Sequence, residues 1–202
     1  LGYIGRHVPR KRPELAIKTI EKMKLDHIKV INMGVDFNKG GNDYWQELRE
    51  KYKKQLEIIE FTCDKKVKNK YYDSIGANVC SFTYEPFGYT VCECLDRRIP
   101  LIVGNLDGPK EITEKVKDFV YLYNIDKDSM DNDIMSLGKT LESFLKTSPE
   151  ERKENAEKAR KALDDFRPEK IKKHWKNLFN CCKNVDVVSD DISPKNVKIK
   201  EE

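Results

Sequence analysis

Two glutamates eight positions apart, Glu85 and Glu93, flank Phe87-Gly88 in the run SFTYEPFGYTVCE, residues Ser81 to Glu93. An apolar stretch, Ala77 to Cys80, precedes the run. The order therefore reads as strand, loop with an acid and a glycine, then helix with a second acid. In an open α/β sheet, ligands lie outside the carboxyl ends of strands and at helix starts. Gly88 lets the backbone approach a ligand with no side chain between them. A second group is basic: Arg6, Arg10, Lys11 and Arg12 fall between a strand-like LGYIG and a helix, and Arg6 to Lys24 holds seven Lys or Arg against two Glu. A basic loop feeding a helix N-terminus suits phosphates. A carboxylate on a neighbouring helix suits a vicinal diol such as a ribose, because it accepts two hydroxyl hydrogen bonds. The run NLDGPKE adds Asp107, Gly108 and Glu111 at a further loop-to-helix junction. Together these loops describe a nucleotide site. Taken singly, each acid is equally explained by the preference of helix first turns for acids, and the basic loop by simple solvation.

Several other chemistries are disfavoured. Neither the GxGxxG dinucleotide fingerprint nor GxxxxGK[ST] occurs, which argues against a dehydrogenase and a P-loop ATPase. Three histidines (His7, His27, His174) and six cysteines without paired spacing offer no Ser-His-Asp arrangement, zinc site or disulfide framework. Reduced, largely buried cysteines fit a cytoplasmic protein. The charged share is 37% but the net charge only +4, so nucleic acid is not an expected partner. No apolar run reaches the roughly 18 residues of a membrane span.

Short apolar segments that alternate with helical periodicity must position these loops. Strands are expected at residues 1–5, 28–33, 57–61, 77–81, 99–104 and 119–123. The first helix is expected to open at Pro13; the next two carry Tyr44, Leu48 and Tyr52, then Val67, Tyr71 and Ile75, on their buried faces. VDFNKGGND reads as a loop. Ile134, Leu137, Leu141, Phe144 and Leu145 mark a later helix, and Ser148-Pro149 with Glu151 is a capping box that opens another. Ile171, Trp175, Leu178 and Cys182 form a stripe on the last helix, which would either pack or dock against something absent from this chain and then stand partly exposed. The fold class is α/β, a Rossmann-like parallel sheet flanked by helices. Residues 1–183 would form this domain and 184–202 a tail. The opening at Leu1, without methionine, suggests an excised domain.

The combination SFTYEPFGYTVCECLDRRIPLIVGNLDGPKEI, with Gly5-Arg6 and Lys11 upstream, resembles the carboxyl-terminal donor-binding half of the retaining group 1 glycosyltransferases, which have two Rossmann-like domains in the GT-B fold. The resemblance implies transfer of a sugar from a nucleoside-diphosphate sugar with retention at the anomeric carbon. It implies that Arg6 and Lys11 grip the donor diphosphate and stabilise the departing charge. Glu85 would contact the donor sugar, Glu93 would hold the ribose, and backbone N–H groups from Phe87 through Gly88, Tyr89 and Thr90 to Val91 would receive donor oxygens. The base would lie near Gly34 and Thr62-Cys63. No metal or other cofactor is implied, since the Arg-Lys pair supplies the positive charge. The implied partners are the nucleotide sugar and an amino-terminal acceptor-binding domain absent from this chain, through which any membrane association would arise. The usual Lys-Gly is Lys11-Arg12 here, and Tyr89 stands where leucine is common. A catalytically silent binding domain, an inverting transferase or a sugar-nucleotide epimerase are the alternative functions.

Overall fold

The computed structural model describes residues 1–35, 42–183, 185–187 and 197–199. The chain divides into two compact units, Leu1–Leu163 and Asp164–Glu202. The division falls before the last helix.

The first unit is a six-stranded sheet: β1 (Gly2–Ile4), β2 (Val30–Val35), β3 (Leu56–Glu60), β4 (Asn78–Cys80), β5 (Leu101–Gly104) and β6 (Tyr121–Tyr123). Its order is β3-β2-β1-β4-β5-β6, and every pairing is parallel. The expected α/β Rossmann-like class is what the chain forms. All six expected strands are present because both faces of the sheet are covered, so each strand reads as a short continuous apolar run. β5, for example, is buried along its whole length. The helices are α1 (Leu15–Met23), α2 (Asn42–Lys51), α3 (Lys65–Ser74), α4 (Tyr89–Asp96), α5 (Asp107–Thr113), α6 (Met130–Lys146) and α7 (Pro149–Ala159).

One core layer joins Leu15, Ile17 and Ile20 of α1 to Trp45 and Leu48 of α2 and to Leu137, Leu141 and Phe144 of α6. The other joins Tyr71 and Tyr72 of α3 to Val91, Cys94 and Leu95 of α4, Ile112 of α5 and Ala159 of α7. Buried polar groups pin the sheet between them. Tyr71 donates to Asn78 Oδ1 at 2.9 Å, and Asn32 Nδ2 donates to the Pro13 carbonyl at 2.8 Å. Ser148 caps α7 by accepting from Glu151 N–H at 3.1 Å, with Pro149 as the first helical residue, as the capping box requires.

Local expectations are corrected at three places. α1 begins at Leu15, since Pro9–Lys11 form a 3₁₀ turn and Pro13 belongs to the turn that follows. Trp45, not Tyr44, turns into the core, and Tyr44 is exposed. On α3 the buried pair is Tyr71-Tyr72, while Val67 is exposed. The loop assigned to VDFNKGGND falls mostly on residues outside those described.

The second unit holds α8 (Pro168–Lys183) and an antiparallel pair, β7 (Val185–Val187) with β8 (Val197–Ile199), where the sequence reading had only a tail. Ile171, Trp175 and Leu178 of α8 are exposed rather than packed, and Trp175 stacks on Phe179 at 5.7 Å between ring centroids. The Cys182 side chain lies outside the described residues. No helix among the described residues is long and apolar enough to cross a membrane.

Candidate functional site

The strand order reverses between β1 and β4, and a cleft of about 420 Å³ opens there. Its floor comes from the carboxyl ends of β1 and β2, at Ile4-Gly5-Arg6 and Met33-Gly34. One wall carries Phe61, Thr62 and Lys68 from the end of β3 and from α3; the other carries Tyr89, Thr90 and Glu93 of α4. This is the switch-point crevice where doubly wound sheets bind ligands. The backbone permits it at two glycines. Gly34 has φ +122°, and a Cβ there would stand 2.1 Å from the Gly5 carbonyl oxygen. Gly88 caps α4 at φ +105°, in the left-handed region that glycine takes without strain.

Of the predicted residues, Arg6, Tyr89, Thr90 and Glu93 line this one cleft. Val91 is buried and is not in the lining of the cleft. Thr90 Oγ1 reaches back to the Ile4 carbonyl at 3.4 Å, which ties the α4 N-terminus to β1. Tyr89 is 77% exposed and meets Phe87 edge-on at 5.0 Å. Two side chains that sequence reasoning missed hold Glu93. Lys68 Nζ donates to Oε1 at 2.5 Å and Tyr72 OH to Oε2 at 2.7 Å. Each carboxylate oxygen retains a second lone pair, so a diol can still donate to it. Phe61, 59% exposed beside the cleft, was also missed; an aromatic just beyond a strand end was the available signal.

Lys11 and Glu85 are not in the lining of that cleft. They form an ion pair with each other, joining the basic loop to the β4–α4 loop. Two further bonds stitch the same loops: Thr83 N–H donates to the Arg10 carbonyl at 2.7 Å, and Arg10 Nη1 to the Tyr84 carbonyl at 3.2 Å. Burial and the neighbouring Arg10 and Arg6 guanidinium groups pull the Lys11 ammonium down to about 8. The Glu85 carboxylate works against them by favouring the charged form. His7, in the same loop, packs against Tyr3 and Trp45, and burial lowers it to about 4, so it stays neutral near pH 7.

The third expected loop does not line the cleft; it braces Glu85. Asp107 Oδ2 accepts from Glu85 N–H at 3.2 Å, and Gly108 N–H donates to the Glu85 carbonyl at 3.1 Å. A Cβ on Gly108 would stand 2.4 Å from the Pro86 carbonyl oxygen, so only glycine allows this approach.

Arg12 occupies a left-handed conformation, φ 41° and ψ 53°, that favours glycine and burdens other residues. Its side chain is buried and pairs with Asp133 of α6. It also donates to the Asp126 and Lys127 carbonyls, at 2.9 Å each. Such a conformation persists where its surroundings over-determine it. Three bonds from one guanidinium do so here.

The model of the family described as glycosyl transferases group 1 matches residues 1–162, the whole sheet and its helices. The chain belongs to the group 1 glycosyl transferases. No protein of curated function matches it in sequence. Among solved structures it is similar to HepE of Anabaena, in complex with UDP and glucose, with TM-score 0.67 and 16% identity over 89% of this chain and 47% of that one. It is also similar to TarM of S. aureus, with TM-score 0.65 and 22% identity over 89% of this chain and 34% of that one. Sucrose-phosphate synthase from Thermosynechococcus elongatus gives 0.67 and 16% over 89% and 45%. At these identities the likeness is one of fold. The chain spans between about a third and a half of the length of these structures.

Proposed function

We propose that the protein transfers a sugar from a nucleoside-diphosphate sugar to an acceptor with retention of anomeric configuration, and that this chain supplies the donor-binding domain. The observation that carries the reading is the meeting of Arg6, the α4 N-terminus and Glu93 in one switch-point cleft of a group 1 glycosyl transferase chain. The cation and the helix end suit a diphosphate. Glu93, steadied by Lys68 and Tyr72, suits the ribose diol. The base would rest by Gly34 and Thr62, with Phe61 offering an apolar face. The titles of similar structures include UDP with glucose, UDP with GlcNAc, and ADP with acarbose, which supports the donor class without choosing its base.

Lys11 is paired with Glu85. On donor binding Lys11 would exchange that carboxylate for a phosphate oxygen, freeing Glu85 for the hydroxyls of the donor sugar. As the bond from the anomeric carbon to phosphate oxygen breaks, negative charge gathers on the nucleoside diphosphate. Arg6, in the cleft, and Lys11, once it has left Glu85, would stabilise that charge without a metal. Retention means that the acceptor oxygen bonds on the face from which the phosphate left. The acceptor would be held by an amino-terminal domain, which would also be the route to any membrane association of a cytoplasmic protein.

Calorimetric titration with UDP-, GDP- and ADP-sugars tests the donor site. One nucleotide class should bind, and Glu93→Ala and Arg6→Ala should both weaken it. No binding of any class, with the chain folded, would rule the reading out. The anomeric configuration of product made by a chain with its acceptor domain tests retention.

A further inference from the structure

We propose that the buried Arg12–Asp133 pair is a positioning device for Lys11, setting from beneath the sheet edge where the adjacent ammonium stands. The proposal rests on Lys11 as a diphosphate-gripping residue. Lys11 and Arg12 are neighbours, so whatever fixes the backbone of Arg12 fixes the origin of the Lys11 side chain. Arg12 is fixed on two sides. Its guanidinium is spent on Asp133 and on the carbonyls of Asp126 and Lys127, in the turn between β6 and α6. The Ser81 hydroxyl, just past β4, stands 2.8 Å from the Arg12 carbonyl and 2.9 Å from that of Lys11, and its one proton is shared between them.

The far anchor is itself well built. Asp133 Oδ1 accepts from Asp126 N–H at 2.5 Å, and the Asp126 carboxylate accepts from Asp128 and Ser129 N–H and from Asn132 Nδ2. A residue held only for packing would not need a planar fork with both terminal nitrogens engaged, nor a left-handed backbone. The arrangement carries rigidity from the α6 N-terminus to the one turn of chain that bears Lys11. Around that ammonium stand Arg6 and Arg10 of its own loop, Glu85 of the β4–α4 loop and Cys80 of β4. A small displacement of Lys11 would therefore alter both its partner and its proton affinity.

The test uses the full chain with Arg12→Lys and Asp133→Asn. Lysine keeps the charge but not the fork. Asparagine keeps the volume and the oxygen that accepts from Asp126. Thermal unfolding first establishes that each variant is folded. The Lys11 ammonium is then titrated by ¹⁵N NMR, and affinities for UDP, GDP and ADP are measured beside those for the corresponding nucleosides. In both variants Lys11 should titrate above its wild-type value, toward that of an ordinary solvated lysine. The nucleoside diphosphate should bind roughly two- to thirtyfold more weakly, with nucleoside affinity unmoved. A wild-type Lys11 titration in two folded variants overturns the proposal, whatever happens to the melting temperature. If the wild-type chain binds no nucleoside diphosphate, the donor-site reading fails, and the Lys11 titration alone decides whether the pair positions Lys11.

Discussion

At the scale of residues, the site is a set of charges paired within the chain, Lys11 with Glu85 and Lys68 with Glu93. In the proposed donor site Glu93 would bear on the ribose through lone pairs left over after Lys68 and Tyr72 are served. Glu93→Ala should cost about 1.5–3 kcal/mol of donor binding, the range for hydrogen bonds to a charged group, read as a ten- to hundredfold rise in Kd by calorimetry. Lys11 gives a pH signature. Its proton is held with a pKa of about 8, and only the charged form attracts a diphosphate. Below that value affinity should be flat with pH, and above it affinity should fall as the proton is lost. Binding curves from pH 6 to 10 would show the bend, and Lys11→Met should remove it. Arg12→Ala would strand Asp133 as a buried lone carboxylate, a change that typically costs about 3–5 kcal/mol, measurable by denaturant unfolding. Arg6 and Glu93 stood out in the sequence from the Gly5-Arg6 pair after β1 and the spacing of Glu85 and Glu93 about Phe87-Gly88, and both line the cleft. Lys68, Tyr72 and Asp133 did not stand out, because their partners lie 25, 21 and 121 positions away. No local pattern encodes such pairings.

At the scale of elements, the strands were readable and the helix faces only partly so. A strand buried on both faces announces itself as an apolar run; β4 and β5 are examples. A helix that leans on a sheet beside other helices can bury neighbouring residues together, as α3 does with Tyr71 and Tyr72. A single narrow stripe therefore picked Val67 in error. The start of α1 was misplaced because Pro13 suits both a helix first turn and the turn before one. The close packing of α5 beneath the Glu85 loop was also invisible in sequence, although Gly108 was noted there. Gly108→Ala should force that loop away from α5, since its new methyl would meet the backbone at Pro86 and Phe87. Overpacking of this kind costs about 1–3 kcal/mol. The melting temperature should fall, and donor-sugar binding should suffer more than binding of the nucleotide alone, because Glu85 is displaced and Glu93 is not.

At the scale of the molecule, two stretches of chain meet at β1 and β4, whose register is the single pair Gly2↔Asn78. Arg6, Gly34, Phe61 and Lys68 come from the stretch before that meeting, and Tyr89, Thr90 and Glu93 from the stretch after it. The ligand cleft is thus a seam between two halves of one chain. A molecule bound across it would act as a removable staple, adding cross-links where the sheet has fewest of its own. Backbone amides of β1 and β4 should then exchange with deuterium more slowly in the presence of nucleotide than those of β3 and β6, at the outer edges of the same sheet. Occupancy of the donor site would be written into the mechanical coherence of the whole domain, and a cell short of donor would hold a softer protein.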